Sequence, residues 1–567
     1  MQLHWLPLPL GEGGGEGLGE GDKMLDGTVP WPAALAERYR DAGWWDGSTV
    51  FDVLARAARR RPDHIAVVDG ERRLSYAELD RLATRLAARL LALDIAPLDR
   101  VVVQLPNVAE FVIVYFALAR IGAIPVMALR AHRQAEVRHF LAASGAAAYV
   151  VADRVGNFDY RPMAQALRAQ APALRHVIVV GEANEGQLAY AELMSGEVAL
   201  PARWPMVDPG EVATMLLSGG TTSMSKLIPR THQDYVLNAR LCAAAAGFDA
   251  STVFMAILPL GHNYNLASPG LLGCFVNAGT VVLAPSADAH SVFELVERER
   301  VSVIAAVVPL VVNWLAASAE IGHENAGRDI TSLKVIQNGG ARLAPALRTR
   351  LRERFGCVPQ EIYGTAEGLI NMTRLDDPDR LLLHSSGAPV CEADEIKVVG
   401  EDGRELPDGE AGELLTRGPY TIRGYYDAPA KNAEAFTHDG WYRMGDIVRK
   451  HGRHVFAEGR KKDLINRGGE KISCEEVENL IFGHPKVQAV TLVAMPDPVF
   501  GEKACAFVVP RPGQTLGFDE LIDFLRAQDI ASFKLPERLE IVSEFPLSPV
   551  GKILKRELRE RLVAAGS

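Results

Sequence analysis

The stretch Leu217-Ser-Gly-Gly-Thr-Thr-Ser-Met-Ser-Lys226 decides how the chain is read. Gly219 and Gly220 let the backbone approach a ligand with no β-carbon in the way. Thr221, Thr222, Ser223 and Ser225 add hydroxyls, and Lys226 adds a compact positive charge. Val212–Leu217 is apolar enough for a strand end, and the run from Ile228 to His232 leads into a helical pattern. A loop of this make-up between a strand and a helix suits a polyphosphate. It is not a P-loop, because no Gly-Lys-Ser/Thr follows at the required spacing. A plain solvent-facing Gly/Ser/Thr turn shares the same composition.

The surrounding chain is too long, at 567 residues, for one ordinary core, so two or more domains are expected. Its 48% hydrophobic and 23% charged content is that of a globular protein. A net charge of −10 argues against sequence-independent nucleic-acid binding, which needs a basic footprint. Cys242, Cys274, Cys357, Cys391, Cys474 and Cys505 form no CxxC pair and read as buried thiols of a reducing, cytoplasmic compartment. Phe111–Leu129 is strongly apolar but contains Arg120, Gly122 and Pro125, so it reads as a core helix and strand and not as a membrane span. Residues 1–23 lack the basic and apolar regions of a signal peptide. With the next four residues they read as a disordered extension over 1–27, with Met24 as an alternative start.

From Phe51 onward, helix and strand patterns alternate. Ser75 and Glu78 form a capping box ahead of Leu79, Leu82, Leu86, Leu90 and Leu93. The alternation predicts α/β organisation with a largely parallel sheet, in which ligands bind beyond the carboxyl ends of strands. Two glycine-marked turns fall at such ends, Asn338-Gly-Gly-Ala341 and Tyr363-Gly-Thr-Ala-Glu-Gly368. Residues 385–458 change to short alternating strands, a small β-subdomain. A tract of charge and glycine follows, Glu458-Gly-Arg-Lys-Lys-Asp463, and a domain boundary is expected near Arg460–Lys462.

Five motifs in order, the Leu217–Lys226 loop, Tyr363–Gly368, Tyr442-Arg-Met-Gly-Asp446, Gly459-Arg-Lys-Lys-Asp463 and Pro549-Val-Gly-Lys552, resemble the adenylate-forming superfamily. That superfamily holds acyl-CoA synthetases, luciferases and peptide-synthetase adenylation domains, and the resemblance runs from Trp31 to the C-terminus. The segment Leu260-Gly-His-Asn-Tyr-Asn-Leu-Ala-Ser-Pro-Gly270 narrows it to the stand-alone 2,3-dihydroxybenzoate– and salicylate–AMP ligases of siderophore assembly. The opening Trp31-Pro-Ala-Ala-Leu-Ala-Glu-Arg-Tyr39, the run Lys226–His232 and Asn466–Lys471 point the same way. The implied fold is a large domain over 28–459, built of parallel-sheet α/β subdomains and a small β-subdomain. A small mobile α+β domain over 460–567 follows, hinged near 460–463 with Lys462 as pivot.

The resemblance also implies ATP and Mg²⁺, an aryl acid, and an aryl carrier protein with a phosphopantetheine arm. Ser218, Gly219, Thr221, Thr222, Ser223 and Lys226 would hold the phosphates, and Glu367 the metal. Gly339, Gly340, Ala341, Ile362, Tyr363, Gly364 and Thr365 would line the adenine. Asp446 and Arg460 would take the ribose, with Lys471 beside the phosphate or the carrier's arm. Asn263, Tyr264, Ser268, Asn338 and Ala366 would form the aryl-acid pocket, with Asn263 on an ortho hydroxyl and Ser268 near a second one. Lys552 and His262 would be catalytic, Lys552 pairing with the carboxylate and α-phosphate oxygens. Asn338 and Thr365 stand where such ligases commonly carry apolar residues, and Ser223-Met-Ser225 replaces a Gly-Thr-Pro type sequence. Those departures bear on the ring substituents and on loop flexibility. An acyl- or aryl-CoA ligase would share every nucleotide residue.

Overall fold

Val101 and Val103 pack into one apolar cluster while Val102, between them, packs into another. That alternation is the signature of a strand buried on both faces, and it recurs through two large sheets. In the computed structural model, which describes residues 24–218, 225–320, 328–468, 470–528, 530–548 and 551–566, the first sheet has seven strands. Strands 212–217, 124–127, 100–104, 148–152, 176–180 and 188–189 run parallel, and Leu227–Thr231 closes one edge antiparallel to Val212–Leu217. The second sheet has nine strands. Its parallel centre runs in the order 358–365, 335–339, 303–306, 253–256, 280–283, 65–69, with antiparallel strands at both edges.

Helices fill the space between the two sheets. Ala109–Ile121 buries every residue except Glu110 and Arg120, and ends on Gly122 in the left-handed region, φ 72°. That explains the apolar stretch 111–129: it is a helix covered on all sides, followed by the central strand Ile124–Met127. Among the described residues no helix is long and apolar enough to cross a membrane. The helix Tyr76–Ala92 starts on the expected capping box, Ser75 and Glu78 each accepting the other's amide at 3.2 and 2.9 Å. Such a cap contributes about 0.5–2 kcal/mol.

Residues 395–399, 411–417, 442–451 and 454–460 form a four-stranded antiparallel sheet, the expected β-subdomain. Its last strand ends at Arg460, and a single 3₁₀ turn, Lys461–Asp463, leads into a further sheet. That sheet pairs 470–472, 465–467, 501–510 and 487–497, with 538–541 alongside, and carries the helices Cys474–Phe482, Phe518–Arg526 and Lys555–Gly566. All six cysteines are buried and unbridged.

Two expectations are corrected. Residues 24–27 are tied down: the Leu25 amide donates to Glu211 at 3.2 Å, the Gly27 carbonyl accepts from Asp427 at 2.8 Å, and Met24 and Leu25 pack on the first sheet's outer cluster. The rest of the expected extension, 1–23, lies outside the described residues. The Ser218–Lys226 loop does not run from strand into helix. It joins two antiparallel strands, and the helix begins only at His232. Pro229 hid the second strand, yet proline is tolerated there because Leu227–Thr231 is an edge strand.

Candidate active site

The carboxyl ends of the parallel strands carry most of the expected site. Strand 335–339 runs into Gly340 and Ala341, strand 358–365 into the Ala366–Glu367 turn, strand 253–256 toward His262–Ser268, and strand 212–217 into the Ser218 loop. The loop's base is closed by the Ser218 amide donating to the Lys226 carbonyl at 3.0 Å and the Lys226 amide donating to Ser218 Oγ at 2.9 Å. Gly219, Thr221, Thr222 and Ser223 lie outside the described residues.

Lys226 and Glu367 meet on one aromatic residue, Tyr425. Lys226 Nζ stands 4.4 Å from the centre of its ring, a cation–π contact, and its hydroxyl donates to Glu367 Oε1 at 2.9 Å. Glu367 is 8% exposed, on the two-residue turn of an antiparallel hairpin. That turn is held from behind. Arg230, fully buried, donates to the Ala366 carbonyl at 2.9 Å and pairs with fully buried Asp234 at 2.8 Å. Thr365 donates to the Gly368 carbonyl at 3.2 Å, so its hydroxyl serves the turn. Gly364 is required there, since a Cβ would lie 2.4 Å from the Leu369 carbonyl.

Asp446, 5% exposed, receives the Tyr363 hydroxyl on Oδ2 at 2.8 Å and Arg460 Nε on Oδ1 at 2.7 Å. Each carboxylate oxygen keeps a lone pair for a further donor. Ile362 is buried beside Tyr363 on the same strand.

The strand 335–339 has two faces with different roles. Val335 belongs to the inner cluster and Ile336 to the outer one, so Gly339 points inward and Asn338 outward. A Cβ on Gly339 would come within 2.8 Å of the Tyr264 ring, which is why glycine sits there. Asn338 instead donates to Glu361 Oε2 at 3.0 Å and to the Ala341 carbonyl at 2.7 Å. Asn338 thus braces the Gly339–Ala341 loop from the other face of the strand, while Gly339 meets the Tyr264 ring. Glu361, 2% exposed, also accepts the Leu343 amide at 3.2 Å and faces buried Arg348 at 3.1 Å.

Asn263 sits in a closed polar chain. Tyr235 donates to its Oδ1 at 2.9 Å, and its Nδ2 donates to Ser268 Oγ at 3.1 Å. One N–H and one lone pair remain on the amide. Ser268, 1% exposed, accepts from both Asn263 and Asn238, the latter at 3.1 Å, and its own hydroxyl is shared with the Cys242 thiol, so its lone pairs and its donor are all engaged. His262 caps the short helix Asn263–Ala267, its Nδ1 accepting the Tyr264 amide at 3.3 Å, a bond the doubly protonated ring could not accept. Burial, reinforced by Lys552, pushes the His262 pKa down to about 4, so the ring is neutral near pH 7.

Lys552 reaches this site from the C-terminal region. Its Cε lies 3.4 Å from where a Cβ on Gly340 would be, and its charge is felt at both His262 and Asp446. Gly340 and Gly551, at φ 83° and 78°, allow the approach: a Cβ on Gly551 would meet Val307 Cγ2 at 2.9 Å. The side chains of Lys462 and Lys471 lie outside the described residues. Tyr425, Arg230, Asp234, Tyr235 and Glu361 were given no role from sequence; Arg230 lay inside the run Lys226–His232, and the capping box Thr231–Asp234 marks Asp234.

The AMP-binding enzyme family matches residues 54–426, and the AMP-binding enzyme C-terminal domain matches residues 476–552. The chain is 46% identical over 540 residues to the 2,3-dihydroxybenzoate-AMP ligase of Bacillus subtilis (strain 168), covering 95% of this chain and 98% of that one. It is 44% identical over 554 residues to the salicyl-AMP ligase / salicyl-S-ArCP synthetase of Mycobacterium tuberculosis, covering 96% of each. Among solved structures, the apo structure of MbtA from Mycobacterium smegmatis superposes with a TM-score of 0.72 at 41% identity, over 94% of this chain and 99% of that one. With its two-sheet fold and its strand-end residues, the chain belongs to the AMP-binding, adenylate-forming enzyme family, and it is an adenylating ligase of the aryl-acid type.

Proposed function

We propose that the enzyme activates an ortho-hydroxybenzoate, with 2,3-dihydroxybenzoate as the leading substrate, and passes the acyl group to the phosphopantetheine thiol of an aryl carrier protein in siderophore assembly. The observation that carries the reading is the convergence of Lys552, Gly340, Asp446 and neutral His262 beside Asn263, whose amide keeps one donor and one acceptor. The carboxylate oxygen attacks the α-phosphorus of ATP and pyrophosphate leaves; the thiol sulfur then attacks the acyl carbon and AMP leaves. Asp446 holds the ribose hydroxyls, and Gly339–Ala341 with Ile362 and Tyr363 frame the adenine. Lys552 balances charge as it moves from carboxylate to phosphate, so its contribution is greatest in the transition state. His262, being neutral, packs against the aryl acid without adding a charge.

The residues present fit Mg²⁺. Glu367 offers one buried carboxylate oxygen beyond the one that Tyr425 occupies, and no cluster of three or more ligating side chains occurs among the described residues. That is the set for a cation that uses one or two carboxylates and takes its other ligands from phosphates and water. Glu367 would hold Mg²⁺, which when bound would offset the negative charge of the phosphates.

A second reading, salicylate, is favoured by Ser268, whose lone pairs Asn238 and Asn263 already occupy. The test is ATP–pyrophosphate exchange with benzoate, salicylate and 2,3-dihydroxybenzoate, followed by transfer to carrier protein or coenzyme A. Lys552→Ala should lower exchange by about two orders of magnitude or more, the scale of one lost transition-state donor, while ATP still binds. Normal exchange in that variant would remove Lys552 from the mechanism.

A further inference from the structure

The nucleotide loop Gly339–Arg342 is gripped by the C-terminal region at two points. Lys552 stands over Gly340. Two residues on, Arg342 Nη1 meets Glu475 Oε1 at 3.3 Å, the two side chains being 16% and 19% exposed. Glu475 lies in the first turn of the helix Cys474–Phe482. The same helix docks at both ends: Ser473, its cap, donates to the Glu458 carbonyl at 2.7 Å, and Phe482 packs on the outer cluster that includes Leu343 and Leu347. Arg342 is itself fixed, donating to the His384 carbonyl at 2.6 Å. The loop behind it is braced by Glu361, which spans Asn338 and the Leu343 amide.

From this geometry we infer that Glu475 is a positioning residue for adenylate formation: through Arg342 it seats the C-terminal region so that Lys552 stands over Gly340. The inference rests on the role of Lys552 given above. A helix anchored through Arg342 to the loop that frames the nucleotide transmits the placement of that loop to the lysine. Glu475 touches no reacting atom, so it acts on one half-reaction only, the one that needs Lys552 in place.

The test measures both half-reactions. Glu475→Arg sets like charges against each other and should slow adenylate formation about tenfold, within the range for directly coupled residues. Thioester formation from supplied acyl-adenylate should stay within about twofold, as it makes no use of this contact. Exchanging the pair, Arg342→Glu with Glu475→Arg, should restore most of the loss. In a Lys552→Ala background Glu475→Arg should cost nothing further. Equal loss in both half-reactions, no recovery in the exchanged pair, or full additivity with Lys552→Ala would overturn the inference. Thermal unfolding checks folding, and Arg342→Gln carries the same comparisons should Glu475→Arg not fold. The two readings fail differently. Normal exchange in Lys552→Ala defeats the proposed mechanism, whereas loss in Lys552→Ala with normal exchange in Glu475→Arg defeats only the role of Glu475.

Discussion

The Tyr363 hydroxyl donates to Asp446 Oδ2 at 2.8 Å, joining strand 358–365 to the β-subdomain. Arg460 holds the other oxygen at 2.7 Å. The carboxylate is thereby fixed before any nucleotide arrives, with a lone pair on each oxygen for a vicinal diol. Asp446→Asn replaces one acceptor with a donor and leaves Arg460 without its partner. Charged hydrogen bonds contribute about 1.5–3 kcal/mol, so KM for ATP should rise by about tenfold to a hundredfold. Tyr363→Phe keeps the charge and should cost less. Pyrophosphate exchange measured against ATP concentration decides; an unchanged KM in Asp446→Asn would show that the ribose lies elsewhere.

How much of this was legible in the sequence depended on whether the cause was local. The capping box of Ser75 and Glu78 is complete within four residues, and its helix lies where it was expected. The edge strand Leu227–Thr231 was missed because Pro229 and Arg230 break an apolar pattern, although their environment, a sheet edge and a buried carboxylate, suits both. Asn338 entered the expected ring pocket through the resemblance alone, and its bonds to Glu361 and the Ala341 carbonyl are tertiary. Only Val335 and Ile336, packed in opposite clusters, fix which way it points. Tyr425 carries no motif at all, and its use by both Lys226 and Glu367 is a tertiary fact.

Substrate choice should turn on Asn263. Its remaining N–H and lone pair suit a hydroxyl, which both donates and accepts. A site built to pair a hydroxyl rejects the analogue lacking it, because its own polar groups are then left unsatisfied. Benzoate should be turned over at least about tenfold less efficiently than either hydroxy acid, and Asn263→Leu should narrow that gap. The ratio of 2,3-dihydroxybenzoate to salicylate then reads Ser268 directly. A clear preference for the dihydroxy acid requires Ser268 to give up one of its present bonds, and Ser268→Ala should in that case abolish the preference. Equal kcat/KM for benzoate and both hydroxy acids would sink the pocket assignment.

The Arg342–Glu475 contact should also respond to pH. Burial pushes the Glu475 carboxyl up to about 7 from its ordinary 4.5; nearby Glu478 and Glu361 push the same way and Arg342 opposes. A carboxyl released into water returns to the lower value, so the docked arrangement binds the proton more tightly. The contribution of that proton uptake to docking is fully present below about pH 4.5 and is lost as pH rises through about 7, where Arg342 alone offsets the buried carboxylate. Between pH 6 and pH 8 docking should therefore weaken. The native cysteines are all buried, so Met206→Cys and Val499→Cys, at positions 91% and 79% exposed, can carry a pair of fluorescent labels. Energy transfer should change with pH in the otherwise native enzyme and stay flat in Glu475→Gln. A pH response that persists in Glu475→Gln would assign it to another group.

The turn Lys461–Asp463 and Leu464 are the whole covalent link between the β-subdomain strand ending at Arg460 and the sheet starting at Ile465. Ser548 anchors the Lys552 loop through bonds to the lysine's amide and carbonyl at 3.0 and 2.7 Å, so the lysine moves with the C-terminal region. With Lys552 over Gly340, a thiol approaching the acyl carbon competes for the same space. In the proposed two-step reaction the C-terminal region would withdraw between the steps, and a hinge of a few element-terminal residues would absorb such a change. Proline fixes φ at position 462 and restricts Lys461 before it. A 3₁₀ turn tolerates that φ, so the docked arrangement should survive in Lys462→Pro while the rotated one becomes costly. Adenylate formation should stay within about threefold of the native enzyme and thioester formation fall by about tenfold or more, the scale of strain in a disfavoured backbone region. Measuring the two half-reactions separately decides. Equal loss in both, or none in either, would locate the pivot outside this turn.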